Sequence, residues 1–246
     1  YVFGIPPYSN PQDVFESYEP VMRYLESKLP GSRFRVETSR DYADYEEKLG
    51  ARRFHFSLPN PYQAVLGLNY GYRVIAKMTP DDDFRGLIVA RSDRNLRSPQ
   101  DLAGKTVCFP SPTAVAATML PLLYLHDNGL DVKQDFQTRY VGSQISSILH
   151  AYSGDAAACG TTVRFWRNWS KENPDKAKAM HVVCRTDALP HNAVVARRDV
   201  DPALSRTLQR PPGVSGTLIP SRVRHRRRLP SAPPHACRAR CAAAPW

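Results

Sequence analysis

Residues 98–121 read SPQDLAGKTVCFPSPTAVAATMLP, and this stretch predicts one strand between two helical segments. Ser98 is a suitable N-cap for a short helix, and KTVCFP is an apolar run ended by a proline, as expected of a buried strand. The small residues that begin at Ala114 predict a helix over 114–127, which the Asn128-Gly129 pair ends. The order helix, strand, loop, helix is typical of an α/β protein.

The same alternation extends in both directions from this stretch. Further strands are predicted over 2–5, 34–38, 54–58, 74–77, 87–91, 136–141, 156–159, 181–184 and 193–196. Further helices are predicted over 13–29, 41–49, 61–68, 143–152 and 163–169, and from Asp201 onward. Because strands alternate with helices, we expect largely parallel sheets covered by helices.

The two series of elements predict an α/β fold of two lobes with a ligand cleft between them. The first lobe is expected to comprise residues 1–88 and 189–208, and the second lobe residues 89–188. The chain would then cross between the lobes twice, near 87–90 and 185–192. Closure of such lobes can bury a ligand.

Residues 209–246 differ from the rest of the chain in composition. The chain has 34 Lys and Arg against 23 Asp and Glu, and eight of the arginines lie in 209–246, which has no acidic residue. Residues 1–208 therefore account for only +3 of the net charge of +11, so nucleic acid is not the expected partner. The tail is rich in Arg, Pro, Ala and Cys and has no apolar periodicity. We interpret it as disordered, or as the product of a frameshift near Gln209.

The chain lacks the short motifs of common catalytic sites. It contains no GxSxG, P-loop, GxGxxG or HExxH sequence, and its seven histidines form no i, i+4 pair. We therefore expect a binding protein without a cofactor. An enzyme that uses Cys108 as nucleophile is a weaker alternative, because no motif places a histidine beside this cysteine.

Nothing in the sequence predicts a membrane span, since no apolar run approaches the roughly 20 residues required. Contact with a membrane is therefore expected only through a partner. Residues 1–10, YVFGIPPYSN, have no basic region followed by an apolar one, so a signal peptide is expected to have been removed already.

Five segments resemble, in order and spacing, the PhnD-like phosphonate and oxyanion-binding periplasmic proteins. They are DYADYEEKL, FSLPNPYQAVL, SPQDLAGKTVCFPSPTAVAATMLP, RYVGSQISSI and GDAAACGTT, and the similarity covers about residues 1–208. The resemblance implies a type II periplasmic binding fold that closes over a small oxyanion. It also implies a periplasmic location and a partner that is either an ABC permease or the periplasmic domain of a sensor histidine kinase.

The resemblance further implies a set of ligand-binding positions, at several of which this chain differs from phosphonate binders. A Ser-Thr-Ser run that holds phosphonate oxygens is replaced by residues 114–116, Ala-Val-Ala. A histidine is replaced by Ser143, and two acidic residues that bind an amine are replaced by Thr162 and Asn192. The remaining candidates for ligand binding are Tyr42, Asn60, Tyr62, Ser111, Thr113 and Thr161.

The loss of these hydroxyls favours a weakly charged ligand over an amino-phosphonate, because burying an under-paired charge costs several kcal/mol. Arsenite, bound by the thiolate of Cys108, is the favoured ligand, and an arsenite-sensing branch of the family signals to a histidine kinase. Phosphonate, phosphate or phosphite bound for an ABC transporter is the alternative. A disulfide between Cys159 and Cys184, near the ends of strands predicted to be neighbours, would leave Cys108 as the unpaired thiol.

More ordinary structural roles are open for several of these residues. Cys108 fits a core strand equally well. Ser111 and Thr113 could serve as helix caps or turn residues. Tyr42 and Tyr62 could be aromatic residues packed in the core.

Overall fold

The computed structural model describes residues 1–208, and the tail predicted at 209–246 lies outside the described residues. The strands of the described part are β1 (Val2–Gly4), β2 (Arg35–Glu37), β3 (Phe56–Ser57), β4 (Tyr72–Lys77), β5 (Arg85–Arg91), β6 (Thr106–Phe109), β7 (Gln137–Tyr140), β8 (Ala158–Thr162), β9 (Met180–Ala188) and β10 (Ala193–Arg197). The α-helices are α1 (Pro11–Lys28), α2 (Tyr42–Gly50), α3 (Pro61–Asn69), α4 (Leu120–Asp127), α5 (Gln144–Ser153), α6 (Val163–Glu172), α7 (Pro174–Lys178) and α8 (Pro202–Leu208).

Shorter helical turns complete the list of elements. Three are 3₁₀ turns, at Asp81–Asp83, Ser92–Arg94 and Pro99–Leu102, and the last is the short helix predicted after Ser98. Val115–Met119 form a π-helical turn that continues directly into α4. Such turns are rare and often occur at functional sites. None of the helices in residues 1–208 combines the length and the apolar composition needed to cross a bilayer.

The strands form two five-stranded sheets, in the orders β2-β1-β3-β10-β4 and β7-β6-β8-β5-β9. β1 is parallel to β2 and β3, and β6 is parallel to β7 and β8. β10 is antiparallel to both of its neighbours, and so is β5. Both sheets are therefore mixed rather than largely parallel, because each contains one strand that arrives from the other sheet.

The chain passes between the sheets at residues 78–84 and 189–192. The second passage lies where the sequence predicts it. The first lies slightly earlier than predicted, because all of β5 pairs within the second sheet. The lobe border at 88 and 89 falls inside β5, and the division of the chain into separate domains stays a prediction.

Each sheet has its own apolar core. Phe3, Met22 and Phe56 belong to the core that packs α1 on the first sheet. In the second sheet, Phe109 packs toward α4 while the adjacent Cys108 packs with Ile148 of α5. This alternation follows from the pleat of a strand, whose successive side chains point to opposite faces. The chain thus builds two α/β layers that face each other across a cleft.

Candidate functional site

A cleft of about 410 Å³ lies between the two sheets. The first lobe contributes Tyr8, Tyr18, Tyr42, Asn60 and Asn192 to its lining, and the second contributes residues 114–117, Gln144, Thr162 and Arg164. The cleft is larger than a bare tetrahedral oxyanion, so its volume leaves room for a substituent on such a ligand.

One wall of the cleft is the turn that follows β6. Ala114, Val115, Ala116 and Ala117 are all buried there. The first hydrogen bonds of this helical segment are donated by the amides of Thr118 and Met119 to the carbonyl oxygen of Ala114. The amides at 115–117 precede these bonds, as the first amides of any helix do, so they are available to a ligand and lie at the positive end of the helix dipole.

Two glycines bring this wall close to the sheet. A Cβ atom on Gly86 of β5 would lie 2.3 Å from the carbonyl oxygen of Ala116, and one on Gly160 of β8 would lie 2.2 Å from that of Ala117. No side chain can occupy these distances. The two glycines therefore allow the backbone at 116 and 117 to pack directly against β5 and β8.

Several contacts join the lobes around the cleft. Asn60 Nδ2 donates to the carbonyl oxygen of Thr113 at 2.8 Å, and the amide of Gln144 donates to the carbonyl oxygen of Tyr8 at 3.3 Å. The rings of Tyr8 and Phe165 are 5.9 Å apart. The two lobes are thus in contact in this conformation.

Tyr42 belongs to a polar network in the floor of the cleft. Its hydroxyl lies near the side chain of Gln144, which favours the ionised form of the phenol. Gln144 Oε1 in turn accepts from Thr162 Oγ1 at 2.9 Å. Burial raises the pKa of Tyr42 far above its ordinary value, so the phenol stays protonated. Side chains of both lobes therefore meet beside the helix start.

Asn192 and His191 lie on the second passage between the lobes and face the cleft. Asn192 Nδ2 donates to the hydroxyl of Tyr8, and that hydroxyl donates to the carbonyl oxygen of Leu58 at 3.0 Å. The Asn192 amide nitrogen donates to His191 Nδ1 at 2.7 Å. Burial, and then the guanidinium of Arg164, lower the pKa of His191 to about 4, so the ring is neutral near pH 7.

Arg164, in the first turn of α6, brings a positive charge to the cleft. Its guanidinium lies close enough to Tyr18 of the other lobe to favour the ionised form of that phenol, although burial has the larger effect and raises the pKa of Tyr18. No carboxylate in residues 1–208 lies within ion-pair distance of Arg164. By contrast, Asp83 at the cleft edge is neutralised by both guanidinium nitrogens of Arg167, at 2.7 and 3.0 Å. Arg164 is therefore a charge available to an anionic ligand.

Four of the residues predicted from the sequence line the cleft: Tyr42, Asn60, Thr162 and Asn192. Asn60 uses its side chain in the capping box of α3 and in the bond to Thr113, so it orders the cleft edge. That these residues bind a ligand stays a prediction.

The other predicted residues are placed elsewhere or have structural partners. Ser143 caps α5 by accepting from the amide of Ser146, the ordinary role of a serine at this position. Ser111 and Thr113 form a turn in which their hydroxyls are 3.3 Å apart. Thr161 is fully buried and, as the neighbour of Thr162 on β8, belongs to the other face of the sheet, whereas Tyr62 of α3 is exposed. None of these side chains is part of the cleft lining.

The cysteine pairing expected from the sequence is wrong. The disulfide joins Cys108 to Cys159, which are register partners on β6 and β8 with Cα atoms 4.4 Å apart. β5 lies between β8 and β9 and separates Cys159 from Cys184, and these two side chains also belong to opposite cores. Cys108 is fully buried under α5 and its sulfur is already bonded. Cys108 therefore offers no thiolate to arsenite or to a substrate.

Sequence reasoning missed Tyr8, Gln144, Arg164 and His191. For Arg164 a signal existed, because it lies in the first turn of the helix after a strand, the edge at which α/β proteins bind ligands. No group of three or more His, Cys, Asp or Glu side chains capable of holding a metal is found in the described part of the chain.

Comparison with known proteins gives one family. Residues 3–210 match the family model described as the periplasmic substrate-binding protein of a phosphonate ABC transporter. The phosphate-import protein PhnD of Mycolicibacterium smegmatis is 28% identical over 170 residues, which are 62% of this chain and 51% of that protein. The tetrathionate sensor histidine kinase TtrS of Salmonella typhimurium is 25% identical over 211 residues, 82% of this chain and 32% of the kinase. The chain thus spans about half of the first relative and a third of the second.

Solved structures confirm the predicted fold. A binding protein of a phosphonate ABC transporter from Pseudomonas aeruginosa superposes with a TM-score of 0.76 at 16% identity, over 84% of this chain and 71% of that one. PhnD1 from Prochlorococcus marinus, in complex with methylphosphonate, gives the same TM-score at 18% identity, over 84% and 81% of the two chains. At these identities the likeness establishes the two-lobed α/β architecture.

Proposed function

Since the chain belongs to the family of periplasmic substrate-binding proteins of phosphonate ABC transporters, we propose that its cleft binds a small oxyanion of the phosphonate and phosphate class and delivers it to a permease. The observation that carries this proposal is the meeting of two positive features in one cleft. These features are the amides at 115–117 and the guanidinium of Arg164.

Together, the helix amides and Arg164 replace the side-chain hydroxyls that are absent at residues 114–116. A buried anion needs several donors, because an under-paired charge in a protein interior costs several kcal/mol. Helix amides favour an anion through hydrogen bonds and the dipole, and a guanidinium adds a full charge with a planar set of donors. The proposal therefore requires no side-chain hydroxyl at 114–116.

Isothermal titration calorimetry with phosphate and methylphosphonate tests the proposal. We expect Arg164→Gln to weaken the binding of both ligands by about tenfold to a hundredfold, since a hydrogen bond to a charged group contributes about 1.5–3 kcal/mol. Arg139→Gln is the matched control, because this arginine is exposed on the edge strand β7 and the net charge changes equally. Equal affinities for the two variants, or no binding of either ligand to the wild type, would end the proposal.

The proposed ligand differs from the arsenite favoured by the sequence. The arsenite hypothesis depends on the thiolate of Cys108, and that sulfur is bonded to Cys159. The disulfide itself supports a periplasmic location, because such bonds persist in oxidising compartments.

The partner has two candidates. The family description favours an ABC permease. The similarity to a sensor histidine kinase over 82% of this chain supports a second candidate, a periplasmic sensor domain. Ligand-dependent binding to a reconstituted permease, compared with ligand-dependent autophosphorylation of a kinase, separates the two partners.

A further inference from the structure

Asn192 has a buried side-chain amide in the cleft lining, and only the NH₂ group of this amide has a hydrogen-bond partner among residues 1–208. It is only 4% exposed, and its Nδ2 donates to Tyr8. No donor within residues 1–208 reaches its Oδ1. A buried acceptor left without a hydrogen bond costs about 1–3 kcal/mol, so this oxygen is arranged for a donor that the protein does not supply.

The orientation of this amide follows from its neighbours. The hydroxyl of Tyr8 has one proton, and it gives that proton to the carbonyl oxygen of Leu58. Tyr8 can therefore only accept from Asn192, which requires the NH₂ end of the amide to face Tyr8. The carbonyl end then points away from Tyr8, and Asn192 is one of the residues that line the cleft. The backbone of Asn192 is held as well, because its carbonyl oxygen accepts from the amide of Met78 at 2.8 Å.

We propose that Asn192 makes the cleft select oxyanions that carry a hydrogen on one oxygen. This inference rests on the proposed function. The P–O–H group of a phosphonate or phosphate monoanion donates to Oδ1, while its remaining oxygens accept from the helix amides and from Arg164. A sulfonate monoanion has the same charge and a similar shape but no O–H group. One of its oxygen atoms would therefore face Oδ1 with a lone pair, and the two acceptors would repel each other.

A neutral amide acts differently here from a carboxylate. A carboxylate in this position would attract an ammonium group on the ligand and repel any oxyanion nearby. The amide oxygen is an acceptor without a net charge. It therefore favours a ligand that carries a proton, and it does not reduce the attraction between Arg164 and the anion. His191 precedes Asn192 in the chain, and its Nδ1 accepts from the backbone amide of Asn192. The neutral ring therefore carries its proton on Nε2.

Calorimetric titration with methylphosphonate and methanesulfonate tests the inference, at a pH below the second ionisation of methylphosphonate, where both ligands are monoanions. We expect the wild type to bind methylphosphonate about tenfold to a hundredfold more tightly, the range that corresponds to one unsatisfied buried acceptor. In Asn192→Leu the affinity for methylphosphonate falls and the ratio of the two affinities approaches one.

Tyr8→Phe gives a second variant that keeps the volume of the side chain. It removes the acceptor that orients the amide, so Asn192 can turn its NH₂ end toward the ligand, and we expect methanesulfonate to bind more tightly than it binds the wild type. Tyr18→Phe is the control, because Tyr18 also lines the cleft but makes no hydrogen bond to the Asn192 amide, so the ratio of affinities should stay at its wild-type value.

Three outcomes would overturn the inference. They are equal wild-type affinities for the two monoanions, a ratio that survives in Asn192→Leu, and tighter binding of aminomethylphosphonate that Asn192→Leu abolishes. The last outcome would assign the donor to an ammonium group. Binding of neither methylphosphonate nor phosphate is a different result, which would end the proposed function itself.

Discussion

The side chain of Asn60 connects the two lobes by donating from Nδ2 to the carbonyl oxygen of Thr113 at 2.8 Å, while its Oδ1 caps α3 by accepting from the amide of Gln63 at 3.0 Å. One side chain thus stabilises a helix start with its acceptor and the contact between the lobes with its donor. The two roles can be separated by substitution, because aspartate keeps the acceptor and lacks the donor.

Asn60→Asp should therefore weaken lobe closure without removing the helix cap. Replacing the donor with a carboxylate oxygen sets two acceptors against each other, and we expect the affinity for phosphate or methylphosphonate to fall about tenfold. The melting temperature should stay within a few degrees of the wild-type value. Small-angle scattering with ligand should report a larger radius of gyration. Asn60→Ser keeps a capping oxygen without the charge and should show a smaller loss; equal affinity in Asn60→Asp would contradict the role of this contact.

Gly160→Ala should displace the helix start at 115–117. The new Cβ would meet the carbonyl oxygen of Ala117 at 2.2 Å, so the backbone has to move, and overpacking of this kind costs about 1–3 kcal/mol. We expect lower stability in urea and a marked loss of ligand affinity. Gly67→Ala in α3 is the control, since its Cβ would find no atom closer than 3.7 Å and alanine favours a helix. A Gly160→Ala protein with wild-type affinity would show that the position of the helix start at 115–117 does not affect ligand binding.

The disulfide between Cys108 and Cys159 should contribute to stability and not to ligand binding. It closes a loop with a sequence separation of 51 residues, for which the chain-entropy model predicts about 4 kcal/mol. We expect Cys108→Ala combined with Cys159→Ala to lower the free energy of unfolding by about 2–4 kcal/mol and to leave the affinity for phosphate nearly unchanged. Arsenite should give no heat of binding with the oxidised wild type. Tight arsenite binding that Cys108→Ala removes would restore the thiolate hypothesis.

His191 should make stability depend on pH in the mildly acidic range. Its pKa is about 4 in the folded protein against about 6.5 when unfolded, so the unfolded chain binds the proton more readily. The contribution of the neutral ring is present above about pH 6.5 and is lost as the pH falls toward 4. As the pH is lowered through this range, the free energy of unfolding should decrease less steeply in His191→Gln than in the wild type. The comparison between the two proteins also removes the effect of His55, whose pKa is lowered by burial in both. Identical slopes would contradict a buried neutral His191.

Much of the fold could be predicted from local patterns. The strand at KTVCFP, the helix that follows Ala114 and the helix that begins near Asp201 are observed, since apolar periodicity and capping residues act over a few neighbouring positions. Part of the cleft lining could be predicted too, because Tyr42 and Asn192, two positions implied by a family resemblance, line the cleft. The cysteine pairing could not, since it depends on which strands are neighbours, and β5 lies between the two that were expected to touch.

The sequence by itself determined the alternation of strands and helices, the family, and the absence of hydroxyls at 114–116. Only the tertiary structure decided which chemical groups face the cleft. It placed Cys108 in a disulfide under α5, brought Arg164 to the cleft without a carboxylate partner among residues 1–208, and left the side-chain oxygen of Asn192 without a donor from those residues. The physical reason is that strand order and hydrogen-bond partners are set by residues far apart in the chain. The direction of the Asn192 amide, for example, is set by Leu58, which accepts the single proton of the Tyr8 hydroxyl, so that this hydroxyl can only accept from Asn192.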